Sequence, residues 1–237
     1  MIAVLVNTIS VIVGSLVGIL FRNRISQKLQ EALMKALALC TILIGISSAI
    51  GTTNVLCVII CMVVGTALGE WIRIDDGIEH TGDYIKGKLF KKGDGESRFT
   101  EGFLSAFVLF CIGSMTIVGS LEAGINHNYS IIYAKSTMDF VSSMAFGAAM
   151  GFGVTCSAFF LLLFQGGLTL FSGMLAPVLS TSVVTEMSAV GGVILFGLAF
   201  NMLGFGKERI KVSNMLPAIF LPIAYIPLAN WLSGLFS

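Results

Sequence analysis

The chain has 237 residues, of which 56% are hydrophobic and only 11% charged, with a mean hydropathy of +0.94 and a formal net charge of +1. Those proportions exclude an ordinary soluble domain and leave an integral membrane protein. A spanning helix takes ~20 apolar residues, so this length holds about eight spans, and a single all-α transmembrane domain over 1–237 is expected.

Span 1 is predicted over Met1 to Phe21, interrupted only by Asn7, Thr8 and small residues. Its Gly14 and Gly18 form a G-x-x-x-G pattern that suits close helix packing. No basic stretch precedes it and no small-residue cleavage site follows, so it reads as a retained helix and not as a signal peptide. After the basic loop Arg22 to Glu31, span 2 covers Ala32 to Ile50, with Lys35 near its end placed to snorkel to the interface. The turn Gly51 to Asn54 is short enough to return span 3, Val55 to Ile72, antiparallel beside span 2. Cys57 and Cys61 share a face of span 3, but two thiols without a histidine make a poor soft-metal site, and no metal or cofactor is expected. All five cysteines lie in apolar runs, which indicates free thiols. Arg73 to Phe99 is the one long polar segment. Ile74, Ile78, Ile85 and Leu89 fall at helical spacing, with acids early and lysines late, so it is predicted as an amphipathic helix on the membrane surface.

Span 4 runs from Gly102 to about Val118, and its outer end is dense in glycine and hydroxyl residues, with Gly113, Ser114, Thr116, Gly119 and Gly124. Unwound or re-entrant backbone against a cavity is expected there. Span 5, in the apolar stretch Ser130 to Gly151, carries Lys135 and Asp139. Four residues apart, they stack on one helical face, where ammonium and carboxylate neutralise each other. Span 6, Val154 to Phe171, contains Gln165-Gly166-Gly167, which predicts a discontinuous helix; the alternative is a glycine pair admitting a neighbouring helix while Gln165 bonds across it. A Ser-, Thr- and Gly-rich loop follows to Glu186. Span 7, about Met187 to Phe205, carries Asn201, and after Lys207 to Lys211 span 8 runs from Asn214 to Leu235, where Pro217, Pro222 and Pro227 predict a kink.

The connections after spans 1, 3 and 7 hold 13 of the 14 Lys and Arg residues. With eight spans those connections share one side, which the positive-inside rule assigns to the cytoplasm, with both termini outside. The exception is Lys135, shallow enough to snorkel outward, whereas Asp139 lies ~12 Å in and must find its solvation inside. An ionisable group in hydrocarbon costs ~2.5 to 3.5 kcal/mol on insertion scales, so it marks a partner, a water-filled cavity or a function. Asp139, Lys135, Ser142, Ser143, Gln165, Gly166, Gly167, Thr116 and Asn201 are therefore the candidate binding residues, with a water or an ion expected between Asp139 and Gln165. A faint repeat aligns Gly14 and Gly18 with Gly147 and Gly151, and Gly65 and Ala67 with Gly197 and Ala199. It suggests two four-span halves of the same orientation, between which transporters commonly bind substrate.

The stretches Leu109 to Ile125, Tyr133 to Phe140, Gln165 to Gly167, Glu186 to Gly204 and Arg209 to Ala218 together resemble the bacterial inner-membrane family of unknown function typified by YqgA and YdfK. The resemblance implies an inner-membrane transport protein or a sodium channel or pump. Glu122 departs from that pattern, which more often has Gln, so no charge-dependent role is assigned to it. The expected function is a secondary, ion-coupled transporter with a polar site near the bilayer midplane, the alternative being a cation (sodium) channel or pore. Expected partners are the lipid bilayer and a small ion or small-molecule substrate, with no nucleic acid; homo-oligomerisation is left open. No His-Glu-x-x-His, nucleophile elbow or phosphate loop is present, and His80 and His127 lie in connections, so no enzyme is expected.

Overall fold

A computed structural model describes residues 1–237 except 23, 25, 79, 81–98, 112, 206, 207 and 237. The described residues are helical, without a strand: α1 Ile2–Arg22, α2 Gln27–Ile50, α3 Val55–Ile72, α4 Phe99–Cys111, α5 Ser114–Ile125, α6 Ser130–Met150, α7 Phe152–Leu170, the single turn α8 Ser172–Leu175, α9 Thr181–Leu203, a 3-10 helix Val212–Phe220, and α10 Pro222–Phe236. Side-chain caps begin three of them. Ser26 accepts from the Leu29 N–H, Asn54 from that of Cys57, and Ser180 from that of Val183. Gly151, at φ 83°, allows the sharp reversal between α6 and α7.

The helices sort into two packing groups. In one, α1 lies along α6, with α7, α4, α5 and α8 around them; in the other, α2 lies along α9, with α3, the 3-10 helix and α10. The groups meet where α2 touches α6 and where α9 touches α4 and α5. Both groups take helices from both halves of the chain, so the halves suggested by the glycine repeat interleave. Glycine sets the two long pairings: a Cβ on Gly14 would stand 2.2 Å from Ser143 Oγ, one on Gly18 2.1 Å from the Met144 carbonyl oxygen, and one on Gly192 2.6 Å from that of Gly45. Without a hydrophobic drive between helices in lipid, such backbone approaches supply the packing.

Five helices (α1, α2, α3, α7 and α9) are long and apolar enough to cross a membrane, and seven spans result if each bent pair counts as one. The pairs are α4 with α5, bent by 52°, and the 3-10 helix with α10, bent by 42°. These breaks fall where dense glycine and proline led us to expect them. α6, predicted as span 5, has 21 residues like α1, but Lys135 and Asp139 lower its hydropathy and it is not among these spans, so the expected count of eight spans is not confirmed.

Four expectations are corrected. α7 runs unbroken through Gln165-Gly166-Gly167. α2 and α3 diverge from their short turn, because α2 seats on α9 while Gly65 and Gly69 admit Ala218 and Asn214 of the 3-10 helix against α3. α2 begins at Gln27, so Lys28, Glu31 and Lys35 lie on the helix. α9 begins at Thr181 under the Ser180 cap, which places Glu186 inside a helix and not at a loop end. Of the predicted surface helix, residues 74–78 are helical, and most of the remainder lies outside the described residues.

Candidate functional site

The site grows from one face of α6. Lys135 Nζ lies 2.5 Å from Asp139 Oδ2, and the two side chains are only 7% and 8% exposed. The ammonium is also 5.7 Å from the centre of the Phe110 ring at the end of α4. Lys135 thus turns inward onto its carboxylate and does not snorkel to the near face. Across the α1–α6 contact stands Asn7, fully buried, whose Nδ2 donates to Asp139 Oδ2 and to Gln165 Oε1, both at 3.1 Å. The amide of Asn7 therefore fills the position where a water or ion was expected between Asp139 and Gln165. Ammonium, carboxylate and two carboxamides form one chain through α6, α1 and α7.

Two atoms of this chain are left over: Asn7 Oδ1 and Gln165 Nε2, both buried, have no protein hydrogen-bond partner among the described residues. An orphaned buried donor or acceptor costs ~1 to 3 kcal/mol, and the protein's own groups do not complete the hydrogen bonding of this cluster. At 1.5 Å per residue, Asn7 lies ~7.5 Å from the start of α1, Asp139 ~13.5 Å from the start of α6, and Gln165 ~7.5 Å from the end of α7. All three point to the same end of the bundle, so the cluster sits between that face and the midplane. It is neutral as a whole, and the free Asn7 Oδ1 beside the Asp139 carboxylate offers hard oxygen fit for a proton or a small hard cation. No group of three His, Cys, Asp or Glu that could hold a metal occurs among the described residues.

The other predicted residues are placed differently. Ser143 is buried on α6 against Gly14, with its hydroxyl returned to the Phe140 carbonyl, and Ser142 is half-buried outside the chain of hydrogen bonds. Thr116 bridges the break between α4 and α5, donating to the backbone carbonyl of Phe110, the residue whose ring faces Lys135, at 2.7 Å. Gly166 and Gly167 are helical, with no freed backbone. Asn201 is at the opposite end of the bundle, where its amide pairs with the Ile210 N–H and C=O at 2.9 and 2.8 Å. It is a connector and not part of the site.

Sequence reasoning missed two further clusters. Glu186, fully buried on α9, accepts from the Thr52 hydroxyl (2.5 Å), the Thr53 N–H (2.8 Å) and hydroxyl (3.0 Å), and the Asn54 N–H (3.1 Å), at the start of α3. Four donors and the positive end of the α3 dipole stabilise this buried carboxylate. At the other end, Asp75 accepts from Arg209 and Ser213, and its N–H donates to Asn214 Oδ1. A lone carboxylate five residues into an apolar helix was the signal for Glu186, and a lone Asn in an apolar span the signal for Asn7.

An all-helical bundle with spanning apolar helices and a buried ion pair defines a polytopic membrane protein. The chain belongs to the DUF554 family of proteins of unknown function, whose family model matches residues 2–226. It is 27% identical over 220 residues to the uncharacterized membrane protein YdfK of Bacillus subtilis (strain 168), covering 91% of each chain. It is 26% identical over 219 residues to the uncharacterized protein YqgA of Escherichia coli (strain K12), covering 91% of this chain and 92% of that one. No solved structure matches it.

Proposed function

We propose that this protein is a secondary, ion-coupled transporter of the bacterial inner membrane, and that Asp139 takes the coupling proton or cation. The observation that carries the reading is the Asp139 cluster: a carboxylate buried within a membrane bundle, shared by Lys135 and Asn7, with unused oxygen and nitrogen atoms beside it. A purely structural ion pair gains nothing from such leftovers, whereas a site that exchanges ligands needs them. Its place beside the broken α4–α5 pair supports the same reading, since discontinuous helices accompany ion sites in transporters. With the basic ends of α1 and α3 in the cytoplasm, both termini are outside.

The test is flux in proteoliposomes under imposed proton and sodium gradients, comparing the natural protein with a variant carrying Lys135→Met and Asp139→Asn together. Gradient-dependent, saturable flux that the double variant loses supports the proposal. Flux unchanged in the double variant, or currents that do not saturate, refutes it.

A further inference from the structure

Between the two packing groups, towards the end of the bundle that holds Asn7 and Glu186, lies a cavity of about 190 Å³. Ile117 of α5, Phe164 and Leu168 of α7, Met187 of α9, Phe220 of the 3-10 helix and Ile223 of α10 form most of its wall. Its origin lies in the chain: α5 follows one helix break, Phe220 and Ile223 flank the other, and helices bent by 52° and 42° cannot lie flush against straight neighbours. None of Asn7, Asp139, Gln165 or Glu186 lines it, and all its lining side chains are hydrocarbon or thioether.

Chemistry restricts what can enter. A water needs two to four polar partners to reside in a cavity, and a charged or hydrogen-bonding solute would lose hydration that nothing in this wall returns. An apolar molecule loses nothing and gains dispersion contacts. A cavity of ~150 Å³ lined by Leu, Ile and Phe is known to hold benzene, so this volume fits one ring with a short alkyl group and not a complete lipid chain. Access is from the bilayer, where such molecules concentrate: Val178 and Phe220 in the wall are 43% and 46% exposed, while Ile117 and Met187 deeper in are buried. From this we infer that the cavity between the packing groups is a binding site for one small, uncharged hydrocarbon, separate from the Asp139 cluster and independent of any transport activity.

Thermal unfolding of the purified full chain in detergent, titrated with toluene, tests this. A saturable rise of the midpoint is expected, ~3 to 6 °C at ten times the Kd, with a far smaller rise for phenol, whose hydroxyl finds no partner. Ile117→Phe or Leu168→Phe, each filling the cavity, should abolish the toluene response. An unsaturable response in the natural protein, equal responses to toluene and phenol, or an undiminished response in a folded filled variant overturns the inference. The natural-protein titration decides the matter alone if neither variant folds. A phospholipid seen by native mass spectrometry on the natural protein and lost from the filled variants, without a toluene response, makes a lipid chain the occupant and also overturns it.

Discussion

Replacing Lys135 by Met should cost more stability than replacing Asp139 by Asn, and replacing both should cost little. The side chains are 7% and 8% exposed, so solvent screens their interaction weakly. Breaking a buried pair leaves an uncompensated charge, at ~3 to 5 kcal/mol. The two single losses are unequal. In Lys135→Met the short carboxylate of Asp139, ~13.5 Å along α6, cannot reach water and keeps only the Asn7 donor. In Asp139→Asn the ammonium is left over, but its four-carbon stem starts only ~7.5 Å from the near face and can swing outward, lowering the cost to ~1 to 3 kcal/mol. At ~2 to 4 °C per kcal/mol for a chain of this size, Lys135→Met should melt ~6 to 20 °C lower than the natural protein. The double variant, with no buried charge to strand, should melt within ~4 °C of it. Thermal unfolding in detergent measures the whole cycle. A Lys135→Met variant as stable as the natural protein, or an Asp139→Asn variant less stable than Lys135→Met, would refute the reasoning.

Gly18→Val should separate α1 from α6, because its Cβ would stand 2.1 Å from the Met144 carbonyl oxygen, a backbone atom that cannot step aside; a loss of at least ~1 to 3 kcal/mol is expected on unfolding. Glu186→Leu strands the Thr53 and Asn54 N–H groups, costing ~1 to 3 kcal/mol for each group left unsatisfied, while Glu186→Gln keeps one acceptor oxygen and should lose less; equal midpoints for the two variants would contradict the geometry. For orientation, Lys211→Cys, at a side chain 53% exposed, should react with an impermeant maleimide only after permeabilisation, and Thr181→Cys, exposed at the opposite end, in intact cells. The reverse pattern would invert the proposed topology.

What was legible in the chain was local. The Lys135–Asp139 pairing follows from i, i+4 spacing, and the breaks after Cys111 and at Pro222 follow from dense glycine and from proline. What was illegible came from distant partners. Asn7 meets Asp139 132 positions away, and nothing in an isolated asparagine announces that contact. Gln165-Gly166-Gly167 misled for an energetic reason: glycine costs a helix ~1 kcal/mol per residue in water, but inside a bilayer an interrupted helix strands backbone groups at several kcal/mol each, so the helix persists. The divergence of α2 and α3 has a similar lesson. A short turn fixes which ends are close, whereas the matching of Gly45 to Gly192 and of Gly69 to Asn214 decides which helices lie together.

The three polar clusters share a placement that bears on the transporter proposal. Asn7, Asp139 and Gln165 tie α1, α6 and α7 within one packing group; Glu186 ties α9 to the α2–α3 turn, and Asp75 ties the segment after α3 to the start of the 3-10 helix, both within the other. Buried charges in fixed hydrogen-bond geometry resist displacement, since each bond lost leaves a desolvated group. Leu104 of α4 and Leu198 of α9 line a narrow cleft between the groups, together with Glu101, Asn201 and Arg209, and apolar side chains of this kind can slide past one another at the cost of dispersion contacts. If the protein transports, the groups should therefore move as bodies, carrying Asp139 inside one of them. Joining Leu104→Cys to Leu198→Cys with a short crosslinker, in a background without the native cysteines, should then arrest flux in proteoliposomes, and cleaving the link should restore it. A crosslink between Asn7→Cys and Asp139→Cys would destroy the site and distinguish nothing, so the control is Phe103→Cys linked to Phe160→Cys, whose ring centres stand 5.1 Å apart between α4 and α7 of one group, and that link should leave flux unaffected. Full flux through the Leu104–Leu198 crosslink would show that the seam between the groups does not open during transport.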